Sequence, residues 1–226
     1  MKADPHAKGR VVQAGVPLVS ARMAVVMAHG RGGTPDDMIR LGILLNAPDV
    51  TYVSLEAVGQ SWWPDSFLAP LGVNQPFVSS ALAAMERAVA NLNAAGLSDE
   101  QIGVMGFSQG ACLALEYTAR SGRKLAFAAG LSGGLIGTGE AGGEYLAELY
   151  GNTEKKFEYG GNLSGTSVYL ACHEEDPHIP LARVQTSARI FKRKGAKVKV
   201  EILPGAGHGI VPEEVDVVRG FVSAKA

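Results

Sequence analysis

Seven short apolar segments recur along the chain, separated by stretches long enough for a helix or a loop. They span residues 10–14, 23–28, 50–55, 101–106, 125–131, 167–172 and 197–203. Most are apolar throughout and rich in valine, a pattern typical of strands that are covered on both faces. Only the first and last segments alternate polar with apolar residues, as strands at the edges of a sheet do. The sequence therefore predicts a mostly parallel central sheet with helices on both faces.

Helix start and stop signals fill the stretches between these segments. Thr34 stands before Pro35 and two aspartates, a typical N-cap followed by an acidic first turn. Residues 76–95 place apolar side chains on one stripe and are followed by Gly96. Further helices are predicted over residues 108–121 and 181–194 and from residue 212 onward. Because strand and helix alternate to the end, we expect one α/β domain over residues 1–226.

One segment, residues 133–165, departs from this alternation. It holds many glycines, and a single short helix is predicted in it, over residues 142–150. It follows the fifth apolar segment, so in a parallel sheet it would lie at the edge where ligands bind. It is either a mobile flap or a tolerated insertion, and the sequence does not choose between the two.

Composition excludes several classes of protein. The chain has 21 lysines and arginines against 22 aspartates and glutamates, a net charge of -1, which offers no field to hold a nucleic acid. It shows neither an apolar leader nor a run of the roughly 18 apolar residues that a membrane span needs. Cys112 and Cys172 lie in apolar segments and cannot form a disulfide framework. We therefore expect a cytoplasmic globular protein.

The pentapeptide Gly106-Phe107-Ser108-Gln109-Gly110 is the strongest local signal for chemistry. It stands between a predicted strand and a predicted helix, which is the context of a nucleophile elbow. Such a turn is strained and closely packed, so it needs small residues on both sides of the serine. It also places the serine at the N-terminus of the helix, where the amide of Gln109 can face an oxyanion. Outside this context, the same pattern is often a glycine-bounded loop with an incidental serine.

A serine hydroxyl needs a base, which this architecture supplies downstream of an acidic residue. His208 lies in a glycine-rich loop after the last predicted strand, where a neutral imidazole can reach Ser108. The other histidines are less suitable by position: His6 in an N-terminal segment expected to be loose, His29 ahead of the serine, and His173 and His178 beside the acid candidates. His208 is therefore the predicted base.

Three carboxylates follow the sixth apolar segment, namely Glu174, Glu175 and Asp176. The sequence barely separates them. Asp176 is favoured because Pro177 fixes a turn after it and because the aspartate side chain is short. A rival interpretation takes His173, Asp176 and His178 as zinc ligands, but the spacing lacks the rest of a ligand set. We expect no metal and no cofactor.

The segment 29–33, His-Gly-Arg-Gly-Gly, is a candidate for the other half of an oxyanion hole. It directly follows the second apolar segment, and its glycines let the backbone approach a ligand closely. The amide of Arg31 is the predicted donor. A phosphate cradle is the alternative, but the spacing fits neither nucleotide-binding glycine motif.

An aromatic cluster follows the third apolar segment. Trp62, Trp63 and Phe67 would lie on the same edge of a parallel sheet as Ser108. Aromatic side chains in such a loop are typical of a wall around an apolar acyl or alcohol group. A plain structural role in covering the sheet is equally compatible with the sequence.

Together these residues resemble an α/β-hydrolase of the phospholipase/carboxylesterase family, which includes small bacterial carboxylesterases and acyl-protein thioesterases. Four markers carry the resemblance: His-Gly-Arg-Gly at 29–32, Gly-Phe-Ser-Gln-Gly at 106–110, Asp-Pro-His-Ile-Pro at 176–180 and Gly-His-Gly at 207–209. The resemblance runs from about residue 23 to the last helix. It implies Ser108 as nucleophile, Asp176 and His208 as its partners, and the amides of Arg31 and Gln109 as the oxyanion hole.

The departures from the family favour its bacterial carboxylesterase branch. Arg31 stands where the thioesterases often have leucine, and neither the Trp62-Trp63 pair nor the segment 133–165 is typical of them. Dienelactone hydrolases share the fold but resemble this chain less, because their nucleophile is a cysteine.

We therefore expect a serine carboxylesterase that hydrolyses short- to medium-chain carboxylic esters, small molecules, through an acyl-enzyme. The alternatives in the same chemistry are an acyl thioesterase and a lysophospholipase, which differ in accepting long acyl chains. A non-catalytic ligand-binding protein on this fold would be expected to have lost part of the catalytic set, and here the set is complete. The sequence permits a homodimer and locates no interface for it.

Overall fold

The fold is taken from a computed structural model that describes residues 4–138 and 144–224. The strands are β1 (Val11–Gly15), β2 (Met23–Ala28), β3 (Val50–Leu55), β4 (Ile102–Phe107), β5 (Phe127–Leu131), β6 (Tyr145–Leu146), β7 (Asn152–Thr153), β8 (Ser167–Glu175) and β9 (Lys197–Ala206). The helices are α1 (Pro35–Leu44), α2 (Phe77–Ala94), α3 (Gln109–Ser121), α4 (Leu181–Arg193) and α5 (Pro212–Ser223). Strand and helix alternate as the sequence predicts.

Seven strands form one sheet in the order β1-β3-β2-β4-β5-β8-β9. Six of them are parallel, and β1 pairs antiparallel with β3, so that Val11 lies opposite Leu55. The strands β2, β3 and β5 are buried along their whole length, whereas exposed and partly buried residues alternate in β1. The predicted mostly parallel sheet, with the first and last strands at its edges, is confirmed.

The core lies in two layers, one on each face of the sheet. Neighbouring residues of β2 point to opposite layers: Val26 belongs to the layer that contains residues of α2, α3 and α4, and Val25 to the layer that contains residues of α1 and α5. Because both faces are covered by helices, the polar groups of the central strands are satisfied within the sheet. Polar side chains for a functional site can therefore lie in the loops at the carboxyl ends of these strands.

The segment 133–165 does not contain the predicted helix over residues 142–150. Residues 142 and 143 lie outside the described residues, and the rest of that range belongs to a small hairpin of β6 and β7 with a turn of 3-10 helix, Ala147–Leu149, between them. Tyr150 ends this turn with φ 56°, in the left-handed region, which is incompatible with a continuing helix. The prediction of a helix is therefore wrong.

Buried ion pairs tie this segment to two helices. Glu116 on α3 is fully buried and accepts hydrogen bonds from the Ile136 amide (2.9 Å) and the Tyr159 hydroxyl (2.8 Å). Lys155 lies 3.6 Å from the same carboxylate. On α4, the buried Arg183 donates to the carbonyl of Leu135 at 2.8 Å. The described parts of the segment are thus packed against α3 and α4.

None of the described helices is long and apolar enough to span a bilayer.

Glu214 on α5 gives the fold a pH-dependent stability. Its side chain is fully buried, Oε2 accepts the Val211 amide at 2.8 Å, and Oε1 has no partner among the described residues. Burial raises the pKa of Glu214 from 4.5 to about 7. Since the folded state holds the proton more tightly than the unfolded state, the contribution to stability is full below the unfolded pKa and is lost as pH rises through about 7.

We expect Glu214→Gln to be stabilised relative to the wild type at pH values above 7, because the neutral amide keeps the acceptor for Val211 and removes the cost of ionisation. The difference in free energy of unfolding between variant and wild type should grow by up to about 3 kcal/mol between roughly pH 5 and pH 8. Urea unfolding across this range measures it. Glu213→Gln, on the exposed side of α5, is the control and should show no such trend.

Candidate active site

Ser108 lies at the sharp junction of β4 and α3. Its backbone has φ 54° and ψ -117°, a sparsely populated conformation for a residue with a side chain. The Ser108 amide donates to the carbonyl of Leu131 at 2.9 Å, which ties the turn to β5. A Cβ on Gly106 would lie 2.2 Å from the carbonyl carbon of Gly110, and one on Gly110 would lie 2.0 Å from the carbonyl oxygen of Ala28. The two glycines of the pentapeptide are therefore required by close backbone contacts.

Three loops bring Ser108, His208 and Asp176 together. His208 Nε2 lies 2.8 Å from Ser108 Oγ, and His208 Nδ1 lies 2.8 Å from Asp176 Oδ2. The second carboxylate oxygen, Oδ1, accepts the amides of His178 (2.8 Å) and Ile179 (3.0 Å). All three side chains follow the carboxyl ends of parallel strands, which places them at one edge of the sheet.

Burial distinguishes Asp176 from the two glutamates beside it. Its side chain is 1% exposed, whereas Glu174 and Glu175 are exposed at the end of β8. Glu174 accepts the Gly205 amide at 3.3 Å, on the outside of the neighbouring strand. Among the three carboxylates, only Asp176 contacts His208.

The environment of Asp176 favours its charged form. Burial opposes ionisation, but the hydrogen bonds from His208 and from the amides of His178 and Ile179 outweigh it, so the pKa of Asp176 lies below its ordinary value. An ionised carboxylate accepts a hydrogen bond from Nδ1–H, which favours the tautomer in which Nε2 can accept one from the Ser108 hydroxyl. This order of groups can take a proton from the serine hydroxyl and return it.

Two backbone amides near Ser108 are free to donate. Gly30 packs against the elbow, since a Cβ placed on it would lie 3.4 Å from Ser108 Cβ, and Arg31 follows it directly. The Gln109 amide is the first of α3, where no intrahelical acceptor exists. Neither the Arg31 nor the Gln109 amide has an acceptor in the part of the chain that the structure describes. They can donate hydrogen bonds to an oxygen that becomes negatively charged beside the serine.

The side chain of Gln109 holds the aromatic segment. Its Oε1 accepts the Trp62 amide at 2.8 Å, and its Nε2 donates to the Trp63 carbonyl at 2.8 Å. The sequence reasoning considered only the backbone of Gln109. No local sequence pattern links this side chain to Trp62 and Trp63, because they lie more than forty residues apart in the chain.

A cavity of about 600 Å³ opens above Ser108. It is lined by Gly30, Arg31, Trp63, Pro64, Asp65, Ser66, Phe67, Phe107, Ser108, Gln109, Cys112, His178, Ile179 and His208. Aromatic side chains and a few converging polar groups are typical of a site for a small molecule.

Trp63 and Phe67 line this cavity, but Trp62 does not. The Trp62 ring is fully buried, donates from Nε1 to the His29 carbonyl at 2.8 Å, and packs against the rings of His6 and His29 with both centroid distances 5.3 Å. The prediction of Trp62 as a pocket residue is therefore wrong. It takes the structural role that the sequence left open, because its indole N–H satisfies a buried carbonyl.

The two histidines before Ser108 are structural. His6 is buried: it donates from Nε2 to the Trp62 carbonyl (2.9 Å) and accepts the Val58 amide at Nδ1 (3.1 Å), so the expectation of a loose N-terminal segment is wrong here. His29 donates from Nδ1 to the Gly30 carbonyl (2.7 Å) and accepts the Ala57 amide at Nε2 (3.1 Å). Burial lowers the pKa of both rings, which fits neutral imidazoles.

A hydroxyl from the segment 133–165 reaches the acid loop. Tyr150 donates to the backbone carbonyl of Asp176 at 2.5 Å. No sequence pattern pointed to Tyr150, because it lies in a glycine-rich stretch without periodicity and more than twenty residues before its partner.

His173 and His178 do not form a metal site with Asp176. Across the described ranges, no group of three or more histidine, cysteine, aspartate or glutamate side chains is arranged to hold a metal ion. Both oxygens of Asp176 are already engaged by His208, His178 and Ile179.

The parallel sheet and the hydrogen-bonded serine, histidine and aspartate at its carboxyl edge define an α/β-hydrolase. Residues 64–219, more than half of the chain, match the Dienelactone hydrolase family, and the chain belongs to this family. The sequence alone ranked that family behind the carboxylesterases because of its cysteine nucleophile. The matched range includes Ser108.

Known relatives agree with this assignment. A phospholipase/carboxylesterase from Dyadobacter fermentans is 38% identical, with a TM-score of 0.85 over 95% of this chain and 96% of that one. Acyl-protein thioesterase 1 from Gibberella zeae is 32% identical over 127 residues, 56% of this chain and 49% of that protein, so the match covers about half the length of this curated relative. The carboxylesterase of Bacillus cereus, 16% identical over 96% of this chain and 94% of that one, shares the fold with a TM-score of 0.69. The chain is thus a hydrolase among esterases and thioesterases.

Proposed function

We propose that this protein is a serine carboxylesterase that hydrolyses short- to medium-chain carboxylic esters through an acyl-enzyme on Ser108. The observation that carries the proposal is the continuous hydrogen-bonded relay from Ser108 Oγ through His208 to Asp176, with 2.8 Å at both contacts. A hydroxyl held in this way by an oriented imidazole is an activated nucleophile. The proposal assigns no step to a metal or a cofactor.

The reaction proceeds in two halves. Ser108 Oγ attacks the ester carbonyl while His208 Nε2 takes the proton of the serine hydroxyl. The resulting oxyanion accepts hydrogen bonds from the free amides of Arg31 and Gln109. His208 then gives the proton to the departing alcohol, which leaves the acyl group on Ser108. In the second half, the water oxygen attacks the acyl carbonyl while His208 Nε2 takes a proton from that water. The bond between the acyl carbon and Ser108 Oγ then breaks, His208 returns the proton to Oγ, and the carboxylic acid leaves. Asp176 keeps the imidazole oriented and stabilises its charged form throughout.

The cavity supports small acyl groups. Its volume of about 600 Å³ lies within the range usual for small-molecule sites, and the buried aromatic residues Trp63 and Phe67 belong to its lining. The similarity to acyl-protein thioesterase 1 favours one second candidate, a thioesterase or lysophospholipase that accepts long acyl chains. We further propose that the chain acts as one domain on a small-molecule ester.

Initial rates on p-nitrophenyl esters from acetate to palmitate test this proposal. We expect the largest kcat/KM with short or medium acyl chains, because chains longer than the cavity must leave apolar carbons in water. A maximum at palmitate would replace the carboxylesterase with the thioesterase or lysophospholipase candidate. Absence of turnover on every ester of the series would favour a ligand-binding protein on the same fold.

A further inference from the structure

The side chain of Arg31 is an oriented cation at the rim of the Ser108 cavity. Its Nη1 donates to the Pro64 carbonyl at 2.8 Å and its Nη2 to the Asp65 carbonyl at 2.8 Å, and all three residues line that cavity. The side chain is exposed. A guanidinium carries five N–H groups, so most of its donors stay available beyond these two bonds. The two carbonyls fix the position of the guanidinium against the cavity wall.

No carboxylate of the described residues forms an ion pair with this cation. Within residues 4–138 and 144–224, no acidic group lies within 4.0 Å of the Arg31 guanidinium, unlike Arg10 and Arg22, which pair with Asp36 and Asp49. Asp176, behind the cavity, is engaged by His208. Asp65 contacts Arg31 through its backbone carbonyl, and its carboxylate does not form an ion pair with it. Carbonyl dipoles orient a guanidinium but leave its charge uncompensated.

We infer that Arg31 is a specificity-determining residue that binds a carboxylate carried by the substrate. The inference rests on the proposed esterase function. A guanidinium held in a fixed plane is suited to bidentate recognition of a carboxylate. Hydrolysis of a neutral ester needs no positive charge at the rim of the cavity, so the charge of Arg31 indicates a substrate that carries a negative one. Because the amide of the same residue faces the reacting carbonyl, a short chain separates that carbonyl from the carboxylate. The preferred substrates are therefore small esters bearing a carboxylate, such as half-esters of short dicarboxylic acids.

A matched substrate set tests the charge alone. We measure kcat/KM by pH-stat titration for monoethyl glutarate and for its uncharged terminal amide, and for 4-acetoxybutyrate and its amide, which carry the charge on the alcohol side. In at least one pair, the wild type should prefer the acid over the amide by about 10-fold to 100-fold, the size of one charge-assisted contact. Arg31→Met should remove most of this ratio, and Arg31→Lys should keep part of it.

The variant Arg189→Met is the control, since it removes one positive charge from α4, where Arg189 donates to Thr186 Oγ1 at 2.6 Å. It should leave the ratio as in the wild type. Equal kcat/KM for acid and amide in the wild type would overturn the inference. So would an Arg31→Met variant in which both fall by the same factor, because Arg31 would then only hold the Pro64-Asp65 wall.

A binding measurement separates this inference from the proposed function. Glutaramate, which carries one carboxylate, should raise the melting temperature of the wild type more than the uncharged glutaramide does, and Arg31→Met should lose the difference. If no ester is hydrolysed but this difference is present, the esterase proposal fails and the carboxylate site stands. If esters are hydrolysed but neither the ratio nor the melting temperature depends on Arg31, the carboxylate site fails and the esterase proposal stands.

Discussion

Ser108→Ala should abolish ester hydrolysis and leave the fold intact, with kcat falling by a factor of about 10⁴ or more. The lost oxygen contacts His208 at 2.8 Å. The bonds that hold the elbow are made by the backbone, from the Ser108 amide to Leu131 and from the Cys112 amide to the Ser108 carbonyl. Alanine keeps these backbone hydrogen bonds. It adds no backbone strain, because serine already places a Cβ at this position.

Initial rates on the best p-nitrophenyl ester measure the loss, and circular dichroism with thermal unfolding checks the fold. A fluorophosphonate probe, which labels activated serines, should modify the wild type and not the variant. Ser79→Ala on α2, outside the cavity, is the matched control and should behave as the wild type. Retained turnover would remove Ser108 as nucleophile, and an unfolded variant would show that the hydroxyl is needed for packing.

Gly110→Ala should destabilise the protein although alanine is the better helix former. A glycine-to-alanine change inside a helix normally stabilises by up to about 1 kcal/mol. At Gly110, the new Cβ would lie 2.0 Å from the Ala28 carbonyl oxygen and 2.6 Å from that of His29, both of them backbone atoms. Since neither atom is at the end of a flexible side chain, α3 must move away from β2, at a cost of about 1–3 kcal/mol.

Gly220→Ala is the natural control for this change. Gly220 lies within α5, and a Cβ placed on it would meet nothing within 4 Å. We expect this variant to be more stable than the wild type by up to about 1 kcal/mol. Urea unfolding of the two variants and the wild type measures the change in free energy of unfolding, which should be a loss for Gly110→Ala and a gain for Gly220→Ala. A Gly110→Ala variant as stable as the wild type would show that the elbow can relax and that the glycine is not required there.

Much of the fold could be predicted because its signals are local. Strands buried on both faces read as continuous apolar runs, and Thr34 caps α1 through the Asp37 amide as its sequence position suggested. The elbow was visible because its pentapeptide is contiguous in sequence, although only Gly106 is constrained by atoms a few residues away, whereas Gly110 is constrained by the carbonyls of Ala28 and His29. The loop of His208 could be placed after the last strand, and the distance to Ser108 then followed from the parallel sheet.

The remaining features depend on contacts between distant parts of the chain. Which of three adjacent carboxylates meets His208 is decided by burial and by the amides of His178 and Ile179, and composition does not encode this. Trp62 was read as a pocket residue, but the His29 carbonyl and two imidazole rings surround it. Tyr150 contacts Asp176 only because the fold brings two distant segments together, and the residues next to Tyr150 in sequence do not predict this contact.

The glycine-rich segment has a consequence for engineering. Glycine-rich insertions are common targets for shortening, because deleting residues from a flexible loop usually costs little stability. In this protein, a deletion through Lys155 and Tyr159 would leave the carboxylate of Glu116 inside the helix layer with Arg120 as its remaining charged neighbour. Removing one partner from a buried charged group typically costs about 3–5 kcal/mol, because the charge that stays behind is less well compensated. A compact variant would therefore need Glu116 replaced by an apolar residue in the same step, so that the segment and its helix are redesigned together.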